Sequence, residues 1–146
     1  MNVLLDTNVI LDVILEREPF AETAEQVFDV AKDHPVQFYL SATTVTDLFY
    51  LAGKAKGKAS ALALIEDLLE FVEVATVDKT VILNALRSGL PDFEDAVQVE
   101  TAKQTEVSII VTRNTTDFVQ ADIKVCSPAE FVRLCGEYRT EEDGKN

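Results

Sequence analysis

Short apolar runs alternate with stretches of helical periodicity along this chain. Residues 3–5, Val-Leu-Leu, read as a buried strand, and a helix is predicted over about 9–15. Phe20, Ala24, Val27, Phe28 and Ala31 recur at helical spacing opposite Glu22, Glu25, Gln26 and Asp29, the pattern of an amphipathic helix. His34-Pro35 stops it, because the residue before a proline is steered away from helical backbone, and 36–40 forms the next strand. Two helices are predicted over about 44–52 and 59–71, with Gly53-Lys54-Ala55-Lys56-Gly57-Lys58 as the loop between them. A short strand at 72–77 precedes a helix marked by Val81, Leu83, Ala85 and Leu86 and ended by Gly89. Pro91-Asp92 opens another helix reaching about 105, and strands follow at 108–112 and 123–126. Ser127-Pro128-Ala129-Glu130 then predicts a helix start, with Ser as cap, Pro at the first helical position and Glu closing a capping box.

Strands that alternate with helices imply an α/β fold: a central parallel sheet flanked by helices on both faces. The 146 residues, 47% of them hydrophobic, suffice for one domain with a sizeable core. That domain is expected over 1–136, with 137–146 an acidic tail expected to be disordered. No apolar run is long enough for a membrane span, and no basic leader precedes the first strand, so a cytoplasmic protein is expected. Cys126 falls on a strand pattern and Cys135 on a helix, so both read as reduced core thiols. The net charge of −13 argues against a general nucleic-acid binder, which would carry a basic footprint. It leaves room for an enzyme that meets a polyanion through a bound cation.

Four carboxylates stand where apolar segments run out: Asp6 after 3–5, Asp47 in Thr44-Val45-Thr46-Asp47, Asp95 in Asp92-Phe93-Glu94-Asp95, and Asp117 after 109–112. Acids so distributed can converge beyond the carboxyl ends of parallel strands, where open α/β folds place their sites. Like charges held together call for a cation, and a hard divalent ion takes oxygen ligands. Each acid also has an ordinary structural reading. Asp6 can cap the following helix, Asp47 can complete a capping box, Asp92 and Asp95 suit a helix N-terminus, and Asp117 can be a loop residue.

The opening Val3-Leu4-Leu5-Asp6-Thr7-Asn8-Val9-Ile10-Leu11-Asp12 resembles the first motif of PIN-domain ribonucleases, the group that includes VapC-type toxins. Ser41-Ala42-Thr43-Thr44-Val45-Thr46-Asp47, Asp92-Phe93-Glu94-Asp95-Ala96-Val97-Gln98 and Val111-Thr112-Arg113-Asn114-Thr115-Thr116-Asp117-Phe118 resemble that family's later motifs, in order, over about 2–131. The resemblance implies a PIN-like domain that hydrolyses RNA with Mg²⁺ or Mn²⁺. Asp6, Asp95 and Asp117 would be metal-binding acids, and Asp47 the remaining catalytic acid, where many members carry Glu. Asn8, Thr112 and Asn114 would be polar supports. Dimers are common in the family, and Phe20, Phe28, Phe49, Tyr50 and Phe71 offer aromatic surface for a homodimer. The resemblance also admits an antitoxin partner.

Cations near such a site matter in so acidic a chain. Arg113 is placed to meet a phosphate, and Lys54, Lys56 and Lys58 form a basic cluster for an RNA backbone or a solvated loop. The single histidine, His34, precedes a proline and reads as a turn residue. Ser, Cys and His give no triad arrangement, and no glycine-rich phosphate loop is present. A phosphoacceptor receiver domain would need paired acids after the first strand and a lysine ending the fifth. A haloacid-dehalogenase-type phosphatase would need Asp where Asn8 stands. A PIN-like domain that binds RNA or protein without cutting is the remaining alternative.

Overall fold

The computed structural model describes the backbone of residues 1–143 and side chains to Glu137; of the tail expected to be disordered at 137–146, residues 137–143 continue the last helix, and 144–146 lie outside the described residues. The elements run β1 (Asn2–Leu5), α1 (Thr7–Ile14), α2 (Ala21–Asp29), β2 (Gln37–Ser41), α3 (Ala42–Lys56), α4 (Lys58–Leu68), β3 (Val72–Ala75), α5 (Lys79–Arg87), α6 (Phe93–Gln104), β4 (Ile109–Val111), β5 (Lys124–Cys126) and α7 (Pro128–Asp143). All strand pairs are parallel, in the order β3-β2-β1-β4-β5. The parallel α/β sheet expected from the alternation is therefore present.

Alternate residues of each central strand feed opposite faces, as a period of two requires. Val3, Leu5, Phe38, Leu40, Ile109 and Val111 pack with side chains of α1, α2, α3 and α7. Leu4 and Ile110 face the other way, onto Val99 and Ala102 of α6 and onto Phe118. Both cysteines are free and buried, as expected of core thiols. No helix among the described residues is long and apolar enough to cross a membrane.

One connection differs from expectation. Gly53 to Lys56 are helical, and the break between α3 and α4 is Gly57 alone, at a φ of 89° that side-chain-bearing residues rarely adopt. Gly53 sits inside α3 beside Ala61 of α4, at a spacing where a Cβ would make ordinary contact, 4.0 Å from that of Ala61. Lys54 and Lys56 thus end α3 and Lys58 begins α4, rather than forming a loop. Expectation also differs at Asp47. Ser41 is the cap of α3, its Oγ accepting from Thr43 N at 3.3 Å, so Asp47 lies inside the helix and completes no capping box.

The strand order reverses between β1 and β4, the place where doubly wound sheets open a crevice. Asp6 follows β1, Thr112 follows β4, and α6, which leads into β4, starts at that same edge.

Candidate active site

Asp6 leaves β1 with its backbone N–H still in the sheet, donating to Val111 O at 3.0 Å, and becomes the N-cap of α1. The cap reading and the site reading of Asp6 therefore describe the same residue. Its carboxylate is 8% exposed and fully hydrogen-bonded. Oδ1 accepts from Thr7 N at 2.7 Å and Gln98 Nε2 at 2.6 Å; Oδ2 accepts from Thr112 Oγ1 at 2.7 Å and Asn8 Nδ2 at 3.2 Å.

The supports are themselves supported. Thr112 Oγ1 accepts from Asn114 N at 3.0 Å, and Asn8 Oδ1 accepts from Arg113 N at 3.2 Å. Asn8 and Thr112 thus act on Asp6 directly, whereas Asn114 acts through its backbone. The network joins the ends of β1 and β4, two parallel neighbours, to α6.

Asp92 caps α6, its Oδ1 accepting from Asp95 N at 2.9 Å, as its position predicted. Asp92, Asp95 and Asp117 line one cleft of about 320 Å³ with Pro91, Thr116, Val119 and Gln120. Asp117 reaches it from a 3₁₀ turn, Thr115–Phe118, anchored by buried Phe118. The Asp95 carboxyl is pushed up to about 7, first by loss of water and then by the charges of Asp92, Asp6, Asp117 and Glu94. Asp117 thus shares a cleft with Asp95, and Asp6 is near enough for its charge to act on Asp95.

Asp47 approaches from α3 and meets Glu94 instead. Burial first, then the charge and hydrogen bond of Asp47, raise the Glu94 carboxyl. Among the described residues, no ion pair reaches any of Asp6, Asp47, Asp95 or Asp117.

The cations lie elsewhere. Arg113, expected to face a phosphate, turns to buried Asp12, its Nε donating to Oδ2 at 2.7 Å, and its guanidinium covers the Phe20 ring at 3.9 Å. Lys56 lies nine residues beyond Asp47 on α3, roughly 14 Å along the axis, so the lysine cluster stands at the far end of that helix. Lys54 rests over the Tyr50 ring at 4.8 Å.

Three participants carry no role in the sequence reading: Glu94, Gln98 and Asp12. Gln98 was detectable only as a polar residue one helical turn beyond Asp95, flanked by Val97 and Val99. Asp12 was detectable as an acid in an otherwise apolar stretch, followed by Arg17.

Carboxylates of this kind suit a hard divalent cation, which retains several waters of its own. Among the described residues, no three Asp, Glu, Cys or His side chains are set to hold a metal as they stand. An ion here would be held by one or two carboxylates and water, with the others close by.

A family model described as PIN domain matches residues 2–116, which include Asp6, Asp47 and Asp95 and stop just before Asp117. The chain is 27% identical over 134 residues to Ribonuclease VapC1 of Aquifex aeolicus (strain VF5), across 88% of this chain and 92% of that protein. The solved structure of VapBC-1 from nontypeable Haemophilus influenzae is similar at a TM-score of 0.69 and 18% identity, over 88% of this chain and 99% of that one. A toxin-antitoxin complex from Klebsiella pneumoniae is similar at a TM-score of 0.66 and 22% identity, over 86% and 97%. At such identities the solved structures speak for the fold alone. The family model spans most of the chain, and with it the expected resemblance becomes membership: this chain belongs to the PIN domain family.

Proposed function

We propose that this protein is a divalent-metal-dependent endoribonuclease, hydrolysing phosphodiester bonds in RNA. The observation that carries the reading is the convergence of Asp6, Asp95 and Asp117 with no paired cation among the described residues. The similar Aquifex protein is named a ribonuclease, which supports the same reaction class.

Asp95 and Asp117, which line the cleft, with the charge of Asp6 close enough to act on Asp95, would hold Mg²⁺ or Mn²⁺ through one or two carboxylates and water. The ion would supply the positive charge that a scissile phosphate and an attacking water require. Asn8 and Thr112 fix the Asp6 carboxylate, and Asn114 fixes Thr112. Asp47, through Glu94, adds negative charge on the α3 side. Lys54, Lys56 and Lys58 remain candidates only for a distant stretch of RNA backbone.

Tyr50, 59% exposed on α3, and Phe71, 70% exposed in the turn between α4 and β3, support a homodimer through this side of the molecule. Phe28 contributes less, because its ring packs on Phe38 at 5.4 Å between centroids. The Klebsiella complex supports an antitoxin partner. A cytoplasmic location accords with both. The absence of a preset metal cluster among the described residues favours the second reading, a PIN domain that binds RNA without cutting it.

One experiment separates the two. End-labelled single-stranded RNA is incubated with the purified protein in Mn²⁺, in Mg²⁺ and in EDTA. Cleavage is expected with metal only, and is expected to be lost in Asp6→Asn and Asp95→Asn. Binding without cleavage, or undiminished cleavage by a clean Asp6→Asn preparation, overturns the nuclease reading.

A further inference from the structure

We infer that Gln98 and the divalent cation compete for the same oxygen of Asp6, so that the Gln98 amide gates metal entry. The inference rests on the metal-dependent reading above. A carboxylate offers about four lone-pair directions. On Asp6 all of them are taken, Oδ1 by Thr7 N and Gln98 Nε2, Oδ2 by Thr112 Oγ1 and Asn8 Nδ2. A cation can bind Asp6 only if one of these donors leaves.

Three of the four are held at their other side. Thr7 N belongs to the first turn of α1, Thr112 Oγ1 accepts from Asn114 N, and Asn8 Oδ1 accepts from Arg113 N. Gln98 is different. It is 2% exposed, its Nε2 lies 2.6 Å from Asp6, and its Oε1 is buried without a hydrogen-bond partner. Turning the amide over would set Oε1 against the carboxylate, so the orientation is dictated by Asp6. Nothing in the hydrogen-bond network holds the far end.

Position points the same way. Gln98 follows Asp95 by three residues on α6, so the two share a helix face. Gln98 holds, from the helix that carries Asp95, an Asp6 oxygen that a cation shared by the two acids would use. Gln98 is thus a positioning residue. It satisfies Asp6 while metal is absent, and of the four donors it is the one whose far end no hydrogen bond holds, so it is the one to yield when metal arrives.

The test is calorimetric titration of Mn²⁺ into the full-length wild type, Gln98→Met and Gln98→Asn. Methionine keeps the length and apolar bulk without a donor. Asparagine withdraws the amide by one methylene and stays polar, so it carries the test if the methionine variant does not fold. Removing a hydrogen bond to a charged group should tighten Mn²⁺ binding about tenfold or more. Unchanged or weaker affinity in the folded variants, with wild type binding normally, overturns the competition alone. A wild type that binds no Mn²⁺ overturns both the competition and the metal-dependent reading.

Discussion

Two acidic centres on different helices, α1 and α6, are handled in opposite ways. Asp12, on α1, is fully buried, and the chain itself supplies its counter-ions: Arg17 Nε at 2.9 Å, and Arg113 through Nε at 2.7 Å and Nη2 at 3.3 Å. Asp95, on α6, has no ion pair among the described residues, and the charges that act on it are those of other acids. With 26 acidic residues against 13 Lys and Arg, placing two arginines on a single acid is a marked choice. Burial of an acid therefore does not mark the site in this fold. A partly buried cluster of acids left without a cation does.

The sharpest way to break that comparison is to remove each acid in turn, since the effects on stability should have opposite signs. Asp12→Ala leaves two guanidinium groups without their partner and unhooks the segment carrying Asn114 and Asp117. Breaking a buried ion pair costs about 3–5 kcal/mol, and the lower end applies because both arginines retain contact with solvent. Chemical denaturation should show a loss of about 3 kcal/mol for Asp12→Ala. A loss below about 1 kcal/mol, the usual worth of an exposed pair, would place Asp12 among ordinary surface acids.

A smaller effect is expected one step from the metal. Thr112→Val keeps the shape but removes the donor to Asp6 and the acceptor for Asn114 N. Loss of such an outer partner costs about 10–100-fold in activity or metal affinity. Cleavage rates should fall in that range while the melting temperature changes little. Wild-type rates would show that Asp6 does not need this support.

The pH dependence follows from Asp95, whose carboxyl is raised from 3.8 to about 7 by burial and by its acidic neighbours. The folded, metal-free protein holds this proton more tightly than the unfolded chain. Its contribution to stability is full below the ordinary carboxyl value and disappears as pH rises through about 7. Melting temperatures in EDTA should therefore fall between mildly acidic and neutral pH, and Asp95→Asn should flatten that fall. An identical slope in the two proteins would remove Asp95 as its source.

Much of this was legible beforehand, for identifiable reasons. The central strands β1 and β4 showed as short apolar runs because they are buried on both faces of a parallel sheet, and Asp92 and Ser127 showed as helix caps. The α3–α4 corner was misread because two glycines so close together look like a loop, whereas only Gly57 leaves helical backbone. The four aspartates were visible from their place beside apolar segments. Gln98 was not, since an amide between Val97 and Val99 resembles any polar helix position until Asp6 is folded against it. Arg113 was assigned to a phosphate because its true partner, Asp12, lies 101 residues away. Long-range ion pairs leave no local pattern.

The central claim is that the acids around Asp95 await a cation. Melting curves of wild type and Asp95→Asn, in EDTA and in saturating Mg²⁺ or Mn²⁺, test it most directly. Metal that binds only the folded state stabilises it by about 2.7 kcal/mol at 100 times its dissociation constant. Asp95→Asn relieves like-charge repulsion, and asparagine preserves ordinary helix-end geometry. The account predicts that Asp95→Asn melts above wild type in EDTA and gains less than wild type when metal is added. An Asp95→Asn protein that melts with wild type in EDTA and responds to metal as wild type does would contradict it.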